Sequence, residues 1–435
     1  MKKNSFQKSV YLIGLLTVIF VSQFYTPAFS QVRELTPELS VLIEEALQNN
    51  PQIKAGRERV QAARYRLPQA SALPDPSVRY AYMGEMLETR FGPQENNYEF
   101  EQEIPFPGKL MQKRKMARAG VELAEAELTA MERDISAKVA QTYYDLFVLD
   151  KMLTLSEQMQ ALSGKSESIL QANYAGMRGS QTDVVKIQSE VTRSLEKLIM
   201  LRQQKESLSA YLTALLNRPD VLSVDFPNEP VLPGDEISLD RLIAGLDQHN
   251  PQILQALAMT KREQHAYSLA KYENAPDFSI GFQYVEIGDG TTTHPEDGRD
   301  AWMIPFKVTL PIWQNRIGPA IKEARSNLSV SESNLQETKN LALFEIKHIY
   351  FQYQSRKTIV DLYRNEYLPQ SKLRLQSRQS AYESGTVEIT EVIESERMLL
   401  ETQMAYYEAL SNALKSYSEM ERLIGPEIIQ EVNHD

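Results

Sequence analysis

The chain has no cysteine among its 435 residues. That excludes disulfides, a cysteine-ligated zinc site, a thiolate nucleophile and a thioether-linked lipid anchor. Stability must come from packing and assembly. Histidine is scarce, and His249, His265, His294, His348 and His434 show none of the paired spacing of a zinc site. Positive charge is in deficit: the formal net charge is −11, so nucleic acid, which requires a basic footprint, is excluded as a partner. There is no Gly-x-Ser-x-Gly elbow, and Pro107-Gly108-Lys109 lacks the glycine loop of a phosphate site. No catalytic constellation and no cofactor site is expected.

Long apolar runs are also missing, apart from residues 10–21. Lys2, Lys3 and Lys8 precede that run, and Ala28-Phe29-Ser30 offers a small-x-small cleavage site after it. Residues 1–30 read as a secretory signal peptide, with Gln31 as the mature start. A mean hydropathy of −0.40 leaves no helical span in the rest. A β-barrel span is compatible with it, because alternating strands average out on such scales.

What the chain has is repetition. Asn50-Pro51-Gln52-Ile53 returns as Asn250-Pro251-Gln252-Ile253, and Pro74-Asp75 returns as Pro276-Asp277. Ile104-Pro105-Phe106 returns as Leu310-Pro311-Ile312, Thr182-Asp183-Val184 as Thr390-Glu391-Val392, and Leu215-Leu216 as Leu423-Ile424. The two repeats span 31–220 and 221–435, and each reads helix, strand, strand, very long helix, turn, long helix. The first helix is expected to run from Pro37 toward Leu73, where Pro74 and Pro76 stop it.

Strict alternation marks four strands, near 77–84, 97–104, 278–286 and 301–310. Val78, Tyr80 and Tyr82 oppose Ser77, Arg79 and Ala81, while Tyr98, Phe100 and Ile104 oppose Glu99, Glu101 and Glu103. In the second repeat Trp302, Phe306, Val308 and Leu310 carry the apolar face. Aromatic residues along one face are the mark of barrel strands facing lipid. After Pro107-Gly108, and again after Gly318-Pro319, the period becomes helical. From Lys109 to Tyr174 there is no proline, and a continuous helix there is roughly 100 Å long at about 1.5 Å per residue. Tips near 175–182 and 383–390 turn each long helix into an antiparallel coiled-coil hairpin. Pro369 interrupts the second outgoing helix.

Four strands cannot close a barrel, and unpaired backbone in lipid costs several kcal/mol per group. The barrel must be shared: eight strands from a dimer or twelve from a trimer, of which only the larger leaves a channel. Glu99, Glu101 and Glu103 would then make its lumen acidic.

This plan resembles the TolC-like outer-membrane factors, the exit ducts of tripartite efflux pumps, over essentially the whole mature chain. Tip residues Tyr174-Ala175-Gly176 through Thr182-Asp183-Val184, and Tyr382 through Gly385-Thr386 to Glu391 and Glu394, carry the likeness. Ala72-Leu73-Pro74-Asp75-Pro76, residues 102–109 and residues 308–313 make it most similar to the heavy-metal branch, the CzcC- and CusC-like proteins.

The resemblance implies a fold that is mainly α with a small β part, in a homotrimer with a twelve-stranded transmembrane barrel. It implies an outer-membrane location with a long periplasmic helical extension. The partners would be outer-membrane lipid, a periplasmic adaptor (membrane fusion) protein and an inner-membrane transporter of the resistance–nodulation–division type. By the same likeness, Asp183 and Tyr382 form the periplasmic gate between neighbouring hairpins. Glu391 and Glu394, one helical turn apart, form an acidic pore ring. Gly176, Gly179, Gly385 and Thr386 are the tip residues that contact the adaptor. A family arginine two residues past the second tip glycine is replaced by Val387. Met83 and Met86 could suit Cu(I), but gap filling is the ordinary role of such residues.

The expected function is a passive efflux duct for heavy-metal cations. The alternatives are an export duct for drugs, other small molecules or protein on the same fold, and a periplasmic coiled-coil scaffold without a pore.

Overall fold

A computed structural model of the chain describes residues 37–426, apart from residues 91, 223, 225, 227, 234–236 and 291–293. The signal-peptide expectation lies outside the described residues, and so does the side chain of Met86. One order of elements occurs twice. First come α1 (Pro37–Asn49), α2 (Pro51–Ala70), β1 (Ser77–Thr89), β2 (Gly92–Ile104), α3 (Pro107–Ala175) and α4 (Gln181–Leu216). Then follow α5 (Leu239–His249), α6 (Pro251–Tyr272), β3 (Asp277–Ile287), β4 (Ala301–Met303), β5 (Phe306–Thr309) and α7 (Gln314–Leu362). A π-helical turn (Tyr363–Tyr367) leads into α8 (Leu368–Glu383), and α9 (Ile389–Ile424) returns. Among the described residues no helix is long and apolar enough to cross a membrane.

The single helix expected from Pro37 to Leu73 is two helices. Asn50 is extended (φ −60°, ψ 127°), as Asn250 is (φ −74°, ψ 119°). The cause is the following proline, whose ring excludes the preceding residue from helical backbone while suiting the first position of the next helix. Each asparagine then does two jobs. Its side-chain oxygen caps the new helix, accepting from Gln52 N at 2.8 Å or Ile253 N at 3.0 Å. Its amide donates to the last turn of the returning helix, at Leu215 O (2.9 Å) or Leu423 O (3.2 Å). Two repeated motifs that are far apart in sequence are therefore one joint in space.

The strands form one antiparallel sheet in the order β1, β2, β3, then β4 and β5 in line along the outer side of β3. The strand expected over 301–310 is broken at Ile304-Pro305, because proline has no N–H to give to the ladder. Gly281 fits the break: its N–H donates to Pro305 O at 2.9 Å, and a Cβ there would stand 2.9 Å from the proline ring. β1 and β2 run further than their alternation indicates, pairing as far as Thr89 with Gly92, with a register shift between Tyr82 and Leu87. Polar side chains such as Gln94 and Asn96 hid this extension, although a backbone ladder does not need apolar side chains.

α7 begins at Gln314, ahead of Gly318-Pro319. Pro319 sits in its second turn, where one lost hydrogen bond does not end the helix. Near Pro369 the interruption takes the form of the π turn, in which Leu368 N bonds to Tyr363 O. From Pro311 to Thr390 the second repeat holds two residues more than from Pro105 to Thr182. A π turn takes up extra length without breaking the helix.

α3 packs against α2, α4, α6 and α9, and α9 against α7 and α8. The core lies midway down the helices, where Ile135, Tyr143 and Phe147 of α3 meet Leu212 and Leu216 of α4 and Leu410 and Leu423 of α9. The connecting segment adds Phe226, edge-on to Tyr143 and Phe147 at 5.1 and 5.8 Å between ring centroids. A second, smaller cluster joins α3 to α9 through Leu155, Leu162, Ile393 and Leu400.

Candidate functional site

Both hairpin tips close by the same backbone motif. In the first, Arg178 N bonds to Asn173 O at 2.8 Å; in the second, Thr386 N bonds to Ala381 O at 2.9 Å. The residue before each of these donors is left-handed: Met177 at φ 57° and Gly385 at φ 73°. The structural counterpart of Gly385 is thus Met177 and not Gly176, which is the C-cap of α3 at φ −84°. A Cβ on Gly179 would stand 3.2 Å from Tyr174 N, so the tight return of the first tip favours glycine there. Thr386 closes the second tip, its hydroxyl donating to Ala381 O at 2.8 Å. Met177 is 97% exposed at the end of the first hairpin.

Asp183 lies in the first turn of α4, which Ser180 caps through Thr182 N at 3.1 Å. It lines a cleft of about 350 Å³ between α3, α4 and α9, together with Lys186, Glu190, Glu394 and Arg397. Tyr382, in the last turn of α8, is half exposed and is not part of that cleft. Within one chain Asp183 is therefore beside Glu394, and not beside Tyr382.

Glu391 and Glu394 point apart. Glu391 pairs with Arg378 of α8 at 2.7 Å, within its own hairpin. Glu394 faces the α3–α4 cleft, 3.8 Å from Arg397. Arg397 in turn pairs with Glu190 of α4 at 2.8 Å, tying the two hairpins together. That carboxylate pushes the Arg397 pKa up, against the opposing pull of burial. Sequence reasoning missed Arg378, Glu190 and Arg397. Only Arg397 had a local signal, its i,i+3 spacing from Glu394; the others are brought in by hairpin pairing.

On the sheet, Glu99, Glu101 and Glu103 share one face of β2. The register sets Glu99 against Arg79 (3.4 Å), and Glu101 reaches Lys307 (3.2 Å). Two of the three glutamates are therefore met by a cation, and Glu103 carries the least compensated charge. The opposite face aligns Tyr80, Tyr98, Tyr284 and Trp302 in one cross-strand row, and Val78, Phe100 and Phe282 in the next. Most of these rings are open to solvent in the single chain. Among the described residues no group of three or more His, Asp or Glu side chains could hold a metal ion.

Residues 42–218 match the outer membrane efflux protein family. The chain is 19% identical over 395 residues to the cobalt-zinc-cadmium resistance protein CzcC of Cupriavidus metallidurans, covering 89% of this chain and 90% of that protein. It is 23% identical over 398 residues to the cation efflux system protein CusC of Escherichia coli K12, covering 84% and 81%. The solved outer membrane protein VceC of Vibrio cholerae superposes with a TM-score of 0.72 at 20% identity, over 89% of this chain and 96% of that one. The doubled hairpins and the open sheet give the chain the fold of solved outer membrane proteins such as VceC, and its first repeat resembles the outer membrane efflux protein family. The resemblance to CzcC and CusC runs over more than four fifths of the chain.

Proposed function

We propose that three copies of this chain form the outer-membrane exit duct of a tripartite pump that expels heavy-metal cations. The observation that carries the reading is the open sheet. Its outer edges, β1 on one side and β4 with β5 on the other, have no strand partner among the described residues, and one of its faces is a field of exposed aromatic and aliphatic residues. Bare strand edges in lipid are untenable, so neighbouring copies must pair β1 with β4 and β5. Twelve strands enclose a channel that eight would fill. The helices support the same closure. α4 packs mainly on α3 and leaves Leu195 and Ile199 exposed, while α7 leaves Phe344 and Phe351 exposed.

In this reading the duct does no chemistry. An inner-membrane transporter supplies the energy, and a periplasmic adaptor meets the tips at Gly176, Gly179, Gly385 and Thr386, with the exposed Met177 beside them. The cargo follows from the similarity to CzcC and CusC. Deleting the gene and measuring growth across cobalt, zinc, cadmium, copper, silver and a panel of drugs tests it. Sensitivity confined to metals supports cation efflux, sensitivity to drugs alone replaces the cargo, and no sensitivity at all removes the efflux reading.

A further inference from the structure

Many described cations of this acidic chain are paired, and unpaired ones gather closely, with few acids among them, at the ends of α3 and α7 next to the sheet. Down the helices, Lys138 meets Asp134 at 2.6 Å, Lys205 meets Asp150 at 2.8 Å and Lys415 meets Asp145 at 2.7 Å. Just below the sheet this stops. Lys113, Arg114, Lys115 and Arg118 of α3 are all exposed and make no ion pair among the described residues. α3 has no acidic residue before Glu122. At the same level of α7, Arg316, Lys322 and Arg325 are also exposed and unpaired, with Glu323 the only acid among them. The first turn of a helix, its positive end, is a poor place for cations, since the backbone dipole repels them, and Arg316 stands in the first turn of α7. Lys109 is the exception, buried and held by Asp277 at 2.7 Å. Among the described residues the exposed cations form no such ion pair.

Immediately above them is an apolar rim. The alternating stripe of β5 continues to Leu310 and Ile312, and Trp313 caps α7; the three are 66, 65 and 67% exposed. Apolar and aromatic side chains at such a level belong at a membrane–water boundary. Lys113 to Arg118 begin about 9 Å beyond the start of α3, at about 1.5 Å per residue. Helical side chains lean toward the helix N-terminus. Because α3 and α7 both run away from the sheet, their lysines and arginines lean back toward that rim and can reach the headgroup layer.

We infer that Lys113, Arg114, Lys115 and Arg118, with Arg316, Lys322 and Arg325, form a basic collar that binds the phosphates of anionic phospholipids in the periplasmic leaflet of the outer membrane. Charge complementarity names the occupant. Anionic headgroups supply the negative charge that the first turns of α3 and α7 lack, and the rim above is built to meet their acyl chains. Tethering at the collar fixes the height at which the helices leave the membrane. The inference rests on the membrane reading of the sheet.

The test is native mass spectrometry of the full-length assembly in neutral detergent, with added phosphatidylglycerol or phosphatidylcholine. Wild type is expected to retain phosphatidylglycerol preferentially, and about 0.5 M NaCl should abolish the preference by screening. K113Q/R114Q/K115Q/R118Q should weaken that retention by about fivefold per cation removed, since each basic residue near such a surface contributes about 1 kcal/mol. K113R/K115R should keep it, and K186Q/R193Q near the tips should leave it unchanged. Equal retention of the two lipids by wild type, or an unchanged preference in the fourfold variant, overturns the collar. So does a fourfold variant that loses only its oligomer, because the cations then serve contacts between copies. If it does not assemble at all, the salt response of wild type decides. The membrane reading fails separately, if wild type is absent from outer-membrane fractions.

Discussion

Asn250 is 1% exposed, and its whole polar head is spent inside the protein. It caps α6 and holds Leu423 O at the end of α9. Removing the head uncaps one helix and leaves a buried carbonyl without its donor. Asn250→Ala should therefore cost about 2–3 kcal/mol, read as a fall in unfolding midpoint. Asn50→Ala should cost a similar amount, since Asn50 makes the same joint in the first repeat. A change in one joint without a change in the other would show that the repeats are not mechanically equivalent. Tyr406 is another buried polar anchor. It donates to Glu229 of the connecting segment at 2.5 Å and accepts from Arg364 of the π turn at 2.9 Å. Burial first, then the Glu229 carboxylate, push its pKa up to about 12. A folded pKa above the unfolded value of about 10 means that the neutral hydroxyl is what folding favours. That contribution is complete below pH 10 and is lost as pH rises through 12. Alkaline unfolding of Tyr406→Phe should consequently lack the component that wild type loses in this window.

At the scale of elements, the tips differ in how much strain they hold. Met177 occupies a left-handed position that Gly385 fills without a Cβ. Met177→Gly should stabilise the first tip by about 0.5–1 kcal/mol, and Gly385→Ala should destabilise the second by about 1 kcal/mol. Hydrogen exchange at Arg178 and Thr386, whose N–H groups close the two turns, measures both. The sequence displayed the two glycine-containing turns but not their correspondence, because a lone glycine does not declare which backbone position it fills. The same limit applies elsewhere. Period two made the sheet legible and identified its apolar face, whereas the break at Pro305 and the extension to Thr89 depend on ladder hydrogen bonds, which composition does not encode. Spacing placed Glu391 and Glu394 one turn apart on a single helix. It carried no sign that Arg378 and Arg397 oppose them, because those contacts arise only when α8 and α4 are brought alongside α9.

At the scale of the whole molecule, these arginines change what an acidic ring can do. In a threefold assembly, six free carboxylates would attract divalent cations strongly. In the folded chain Glu391 is tied to Arg378, while Glu394 is 67% exposed and Arg397 is engaged mainly by Glu190. The exposed field at the tip should then come chiefly from Glu394, with Asp183 beside it across the cleft. Three variants separate this from a ring of equals in planar-bilayer recordings of the assembled channel. Glu394→Gln should relieve divalent-cation block more than Glu391→Gln does. Arg378→Gln, which frees Glu391, should tighten block by about twofold to fivefold, the range set by the worth of an exposed ion pair. Equal effects of the two glutamate variants, or weaker block after Arg378→Gln, would restore the symmetrical ring. Tyr382→Phe with Asp183→Ala probes a separate matter, the lock between neighbouring hairpins. Since one chain does not bring these two residues together, a lock of this kind would have to form between copies. Raised conductance in the double variant supports a lock of that kind, and unchanged conductance leaves the Arg397–Glu190 pair as the contact that holds the hairpins side by side.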